Sequence, residues 1–382
     1  MNFMFDIGPT IMFGEGISKN VGEIAKGMEA EKVYLLYDKG VKDAGIVDGI
    51  AEVLRTADME ITEFDGVEPN PSDTTVEAAA DIGRAAGVDV LIAVGGGSAM
   101  DTAKGVNLLL TNPSPINAYE GFDAKKNPTK PLILIPTTSG TASEVTAVCV
   151  LTNEKEVRKF IIGGQHVPAT IALVDPELTY GLPPAITAST GMDALTHAIE
   201  SYISTMNSIP AQAVTLKATE LIYKNIVMAY KDGNNKEARA NMLLGSLMAG
   251  IGFGNTSLGI VHAFAHPFSA HCHLPHGLAN AIALPLGIEY NAVAVPEMIK
   301  ECGVAMGLEV KELSVVEASK VVVQALKDLC KELNIPTLSE AGVTEDKLPV
   351  LAKAIMEEEV SLATNPRELT EEAALNILKN MF

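Results

Sequence analysis

The chain has 382 residues, 47% of them apolar, which is enough for two domains on the usual scale of about 100 to 200 residues each. Lys and Arg number 28 against 48 Asp and Glu, and the formal charge of −20 argues against nucleic acid and anionic membrane as partners. A small-molecule substrate is expected.

The opening MNFMFDIGPTIMFGEG carries Asp6 and lacks a basic run ahead of an apolar one, so no secretory leader is expected. The first half then alternates apolar runs with helical patterns. KVYLLYD (Lys32 to Asp38), DVLIAVGGG (Asp89 to Gly97) and PLILIPTTSG (Pro131 to Gly140) are apolar throughout rather than alternating, as strands covered on both faces are. Helices are expected from Ile46 to Ala57 and from Thr74 to Ala86, which together with the strands predict an α/β domain. Beyond VDPELTYGLPP the strand signal fades, and Gly181, Pro183 and Pro184 suit a hinge. Helices are then predicted over Thr190 to Ser204, Gln212 to Tyr230 and Glu237 to Gly250, with EASKVVVQALKDLCKELNI and KLPVLAKAIMEEEV continuing as amphipathic helix.

Asn241 to Ile288 contains no Asp, Glu, Lys or Arg. Recurrent glycine, Pro267, Pro275 and Pro285, and five of the seven histidines argue for buried helices around a polar site rather than a membrane span. Cys149, Cys272, Cys302 and Cys330 lie far apart with no Cys-x-x-Cys pair, so a reducing cytoplasm is expected.

Three strand ends carry ligand-ready residues. Gly95, Gly96 and Gly97 follow an apolar run, with Ser98 placed to start the next helix. This is either a tight strand-to-helix turn or a pyrophosphate cradle on a helix N-terminus. The sequence is neither G-x-G-x-x-G nor a P-loop, because the spacing to Lys104 fits neither. Asp38 ends another run, where an acid accepts hydrogen bonds from an adenosine ribose and repels an added 2′-phosphate, favouring NAD over NADP. Thr137, Thr138, Ser139 and Thr141 surround Gly140 at the third.

A metal constellation is also suggested. Asp193 and His197 in STGMDALTHAIE share a helix face, although such a pair is more often an ion pair than a ligand pair. GIVHAFAHPFSAHCHLPHGLANA places His262 and His266 on one face, with Pro267 limiting or bending that helix and His276 in a Pro-His-Gly turn. One carboxylate with imidazoles suits Fe(II) or Zn(II) better than Mg(II) or Ca(II).

TIMFGEGISKNVGEIAK, GGGSAMDTAK, PTTSGTASEVT, VDPELTYGLPP, TGMDALTHAIE, GIVHAFAHPFSAHCHLPHG and TNPRELT together make the chain resemble the iron-containing, group III alcohol dehydrogenases over nearly its whole length. The resemblance implies an α/β NAD-binding domain over residues 1–182 and an all-helical metal-binding domain over 183–382, an architecture shared with dehydroquinate synthase. It implies Asp193, His197, His262 and His276 as ligands of iron, with zinc as the alternative ion. It implies Asp38, Asn70, Gly95, Gly96, Gly97, Ser98, Asp101, Thr137, Thr138, Ser139, Thr141, Val150 and Lys159 as NAD contacts. His266 corresponds to a family residue beside nicotinamide and substrate that is not a ligand.

The implied function is hydride transfer between a small primary alcohol or diol and its aldehyde, in a cytoplasmic homodimer or higher homo-oligomer. The chain departs from the family in GTASE, with Ala142 where GTGSE is common. It departs again in SAHCHLPHG, where glycines and an aromatic are frequent, so His271 and His273 take no role from the resemblance. A zinc-dependent glycerol dehydrogenase shares the chemistry. A dehydroquinate-synthase-type lyase would need basic residues that Asn241 to Ile288 lacks. A non-enzymatic nucleotide or metal binder would consume no NADH when aldehyde is added.

Overall fold

The computed structural model describes residues 2–122, 124, 126–156 and 158–382. Its contacts divide it into two compact units. One comprises Ile7–Thr138 and Ala142–Thr179; the other comprises Tyr180–Phe382, the stretch up to Asp6, and Ser139–Thr141.

The first unit is built on the strands β1 (Thr10–Phe13), β2 (Lys32–Tyr37), β3 (Glu60–Phe64), β4 (Val90–Gly95), β5 (Leu132–Pro136), β6 (Val148–Asn153), β7 (Arg158–Gly163) and β8 (Ile171–Val174). Its helices are α1 (Val21–Gly27), α2 (Lys39–Asp43), α3 (Ile46–Thr56), α4 (Asp73–Ala86) and α5 (Gly97–Thr111). Six strands form a parallel sheet in the order β1-β8-β5-β4-β2-β3, and β6 and β7 form an antiparallel pair. The central strands are buried along their length because each face carries a core. Tyr34, Leu36, Leu91, Ala93 and Leu134 point into one with Val76 of α4 and Met100 of α5; Val33, Leu35, Ile92, Val94 and Ile135 point into the other with Ile50 and Leu54 of α3.

Strand order sets where a ligand can enter. From β2 the chain moves outward to β3, whereas from β4 it moves the other way to β5, and β2 and β4 pair with Tyr37 opposite Val94. Adjacent strands whose connections diverge open a crevice at their carboxyl ends. Asp38 and Gly95 stand at that crevice.

The second unit is helical: α6 (Pro184–Ile203), α7 (Ile209–Lys231), α8 (Lys236–Phe253), α9 (Ile260–Cys272), α10 (His276–Asn291), α11 (Pro296–Met306), α12 (Val315–Glu332), α13 (Leu348–Met356), α14 (Glu359–Ala363) and α15 (Glu371–Met381). One core runs through it, including Leu195 and Ile199 of α6, Ile222 of α7, Phe264 and Phe268 of α9, and Leu284 of α10. Each large side chain there contributes about 1.5 to 3 kcal/mol.

Four local expectations need correction. Helix α6 starts at Pro184 rather than Thr190, because Pro183 caps it and a proline at the first turn needs no N–H partner. Helix α5 is capped by Gly96 and starts at Gly97, not Ser98. His276 is the first residue of α10 rather than part of a turn, and α9 runs through Pro267 to Cys272. The pattern expected to continue from Lys347 to Val360 breaks at Glu357 and Glu358, where ψ of Glu358 moves to 58° before α14 begins.

Candidate metal and cofactor sites

Asp193 and His197 lie one turn apart on α6, His262 lies in the first turn of α9, and His276 opens α10. Their ligand atoms all lie within 4.8 Å of one another. Asp193 Oδ1 is 3.9 Å from His197 Nε2 and 3.8 Å from His276 Nε2. Asp193, His197 and His262 are buried, and His276 is partly exposed.

The far side of two rings is fixed by acceptors. His197 Nδ1 lies 3.3 Å from the Gly140 carbonyl oxygen, and His262 Nδ1 lies 2.6 Å from Glu200 Oε2. A ring that donates from Nδ1 keeps its lone pair on Nε2, the form a metal needs. Burial lowers the pKa of His197, and burial with the neighbouring imidazoles lowers that of His262 further, so both rings are held neutral. Asn280 Nδ2 donates to Asp193 Oδ1 at 2.6 Å and lies 3.1 and 3.2 Å from Nε2 of His262 and His276. Two neutral imidazoles with inward lone pairs, the His276 ring beside them and one carboxylate fit a borderline divalent ion such as Fe(II) or Zn(II).

Helix α9 has no cap of its own. Its N-cap is Gly259, and a Cβ there would come within 2.9 Å of Asn365 Oδ1 and Glu200 Oε1. Those two side chains supply the cap instead: Ile260 N donates to Asn365 Oδ1 at 3.0 Å and Val261 N to Glu200 Oε1 at 2.6 Å. Burial pushes the Glu200 carboxyl up to about 8 against the pull of the backbone N–H groups of Val261, Gly259 and His262. A cation on the four donors favours its charged form, the one able to accept from both Val261 N and His262 Nδ1. Gly277 is also a packing requirement, since a Cβ would lie 2.6 Å from the Ser189 carbonyl oxygen.

His266, one turn after His262, stacks on His276 with centroids 5.5 Å apart and is outside the convergent donor set. His271 and His273 are exposed; His273 ends α9 in the left-handed conformation with φ 57°.

The residues expected to hold NAD lie mostly in the sheet unit. Asp38 caps α2 through Val41 N, at 3.1 Å. A Cβ on Gly95 would lie 2.7 Å from Ala99 Cβ and 3.2 Å from Asp38 Oδ2, so the acid and the glycine turn are immediate neighbours. No side chain caps α5, and Gly96, Gly97 and Ser98 are partly exposed at its start. Thr137 N donates to Gly95 O at 3.0 Å, and Thr138 lies against Gly96. Asn70 adopts φ 55°, a left-handed conformation that Asn tolerates, and its carbonyl accepts from Thr152 at the β6 edge. Lys159 lies opposite Thr152 on β7.

Asp101 and Val150 are bonded to each other: Asp101 Oδ2 accepts from Val150 N at 3.1 Å and Oδ1 from Ser143 Oγ at 2.6 Å. Beside them Lys104 is buried, its ammonium donating to the carbonyl oxygens of Ser143, Thr146 and Val148, which rules it out as a phosphate lysine. Ser139 and Thr141 belong to the helical unit, where Gly140 packs on Thr190.

Glu200, Asn280, Asn365 and Glu358 were not singled out from the sequence. Glu200 follows Asp193 by seven residues and Asn280 follows His276 by four, so helical periodicity would have found both.

The sequence pattern described as iron-containing alcohol dehydrogenase matches residues 8–176, and that described as Fe-containing alcohol dehydrogenase family, C-terminal, matches 187–382. The chain is 38% identical over 385 aligned residues to a 1,3-propanediol dehydrogenase of Citrobacter freundii, covering 99% of each. It superposes on a crystal structure of 1,3-propanediol oxidoreductase with a TM-score of 0.97 at 37% identity, covering 100% of both chains. The sulfoacetaldehyde reductase of Bifidobacterium kashiwanohense, solved in complex with NAD+, matches with a TM-score of 0.91 at 30% identity, covering 100% of this chain and 99% of that one.

Proposed function

The chain belongs to the iron-containing alcohol dehydrogenase family, and from that premise we propose that it interconverts a small primary alcohol or diol with its aldehyde by NAD-linked hydride transfer. The observation that carries this reading is the convergent donor set of Asp193, His197, His262 and His276, three of them buried. When bound, iron(II) supplies a Lewis acid for the substrate oxygen and NAD the hydride acceptor.

Asp193 Oδ1 and Nε2 of His197, His262 and His276 hold the ion, with Glu200 and the Gly140 carbonyl keeping two of the rings in the required tautomer. Gly95, Gly96, Gly97 and Ser98 receive the pyrophosphate at the start of α5, and Asp38 takes the adenosine ribose and excludes a 2′-phosphate. Thr137, Thr138, Ser139 and Thr141 bind through hydroxyl and backbone donors, and Asn70 and Lys159 contact the cofactor from the β6–β7 edge. Asp101 fixes Val150 in place, which makes its contribution to cofactor binding a positioning one. His266 accepts the alcohol proton at Nε2 during oxidation and returns it during reduction.

Residues 1–182 then form the NAD-binding domain and 183–382 the metal-binding domain. In support of a cytoplasmic location, none of the four cysteines is disulfide-bonded, and among the described residues no helix is long and apolar enough to cross a membrane. A homodimer or larger homo-oligomer completes the reading, and light scattering tests it.

The deciding experiment is anaerobic purification with metal analysis, followed by NADH oxidation against short aldehydes including 3-hydroxypropanal. Iron-loaded protein that consumes NADH with none of them is not an alcohol dehydrogenase.

A further inference from the structure

His266 uses one ring nitrogen for a partner that no motif announced. Its Nδ1 lies 2.7 Å from Glu358 Oε2, 92 residues further along the chain. A carboxylate only accepts, so Nδ1 carries the hydrogen and the neutral ring keeps its lone pair on Nε2. The ring plane is set separately, by stacking on His276 at an interplanar angle of 19°. Stacking fixes the plane, and the carboxylate fixes the rotation within it and the tautomer.

The segment bearing Glu358 is itself tied to the helix it serves. Helix α13 stops at Met356, and Glu358 stands ahead of α14 with its side chain free of any capping bond. A few residues on, Thr364 Oγ1 donates to the Leu258 carbonyl at 2.5 Å, and Asn365 Oδ1 accepts from Ile260 N at 3.0 Å, both at the start of α9. Asn365 also exchanges hydrogen bonds with Asn291 at 2.8 and 2.9 Å, and the Arg367 guanidinium lies 3.8 Å from the Tyr290 ring centre. The TNPR motif, which received no role from the sequence, thus clamps the 358–367 stretch along α9 and the end of α10.

We propose that Glu358 is a positioning residue for proton transfer at His266, holding the ring so that Nε2 faces the reaction as acceptor; this rests on the role given to His266 above. The His266 and Glu358 side chains are 31% and 30% exposed, so the single hydrogen bond between them adds little to stability. A loss of turnover on breaking the pair would therefore not reflect unfolding.

The test uses iron-loaded enzyme prepared anaerobically, with kcat, KM for NAD and for alcohol, bound iron per subunit and melting temperature measured for Glu358→Ala, Glu358→Gln, His266→Ala and the double variant His266→Ala/Glu358→Ala. Glu358→Ala should lower kcat by roughly tenfold or more, with KM for NAD, iron content and melting temperature unchanged. Glu358→Gln, which can still offer an oxygen to Nδ1–H, should recover most of that loss. The double variant should be no slower than His266→Ala alone. Full activity of Glu358→Ala beside an impaired His266→Ala overturns the inference and leaves the role of His266 standing. Multiplying losses in the double variant, or loss of iron from Glu358→Ala, also overturn it. An unimpaired His266→Ala removes the role of His266 and the inference with it.

Discussion

Replacing Glu200 by Gln tests whether the metal centre depends on a group that is not a ligand. Glu200 is buried and accepts from Val261 N and His262 Nδ1, each at 2.6 Å. Gln is nearly isosteric but offers one oxygen and one NH2. If its oxygen keeps Val261 N, its amide hydrogens face His262 Nδ1, which must then become an acceptor and move its hydrogen to Nε2. That hydrogen lands where the ion binds. Loss of such a histidine-orienting partner costs roughly 10- to 100-fold in metal affinity, equivalent to about 1.4 to 2.8 kcal/mol.

Glu200→Ala removes the acceptor of two buried donors, at about 1 to 3 kcal/mol each. Its melting temperature should fall by about 2 to 4 °C for each of those kcal/mol. Iron affinity is read by competition with a chelator under anaerobic conditions, and folding by thermal melts of the same samples. The informative outcome is a weak-binding Glu200→Gln that melts close to the parent. Parent-like iron affinity in Glu200→Gln would refute the reasoning, because it would mean that a neutral side chain orients His262 equally well.

Further outcomes follow from single contacts. Gly277→Ala places a methyl 2.6 Å from the Ser189 carbonyl and 3.4 Å from Asp193 Cβ, so bound iron should drop and stability fall by about 1 to 3 kcal/mol in urea melts. Asp38→Ala removes a charge that repels a 2′-phosphate by about 1 to 4 kcal/mol, so the kcat/KM ratio of NADPH to NADH should rise about tenfold or more; a rise under about twofold would dismiss Asp38 as the discriminator. Glu144 is buried, and desolvation pushes its carboxyl up to about 7. Because the folded value lies above the unfolded one, its contribution is fully present below the unfolded value and is lost as pH rises through about 7. Glu144→Gln should therefore match the parent near pH 4 and exceed it near pH 8 by roughly 3 kcal/mol, measured by urea melts across that range.

The parts of this molecule that could be read from the sequence are those whose causes are local. β2, β4 and β5 show as unbroken apolar runs because both of their faces are buried, whereas β3 at the sheet edge reads EITEF and is nowhere fully buried, so it gave no such signal. Asp193 and His197 on α6, and His262 and His266 on α9, showed as pairs because a helix repeats its face every turn, whereas the set of four that includes His276, the first residue of α10, was implied by the family resemblance. Glu358 and Asn365 lacked that advantage. They reach α9 only because the chain returns 92 and 105 residues later, and nothing near them in sequence encodes that return. The crowding of histidines between Gly259 and Ala281 is likewise two patterns overlaid. His262 and His266 follow the buried face of α9, whereas His271 and His273 fall in its last turn and at its left-handed end, where the helix meets solvent. Local density alone therefore overstated the site: helix phase separates His262 and His266 from His271 and His273, while His276 joins from the start of α10.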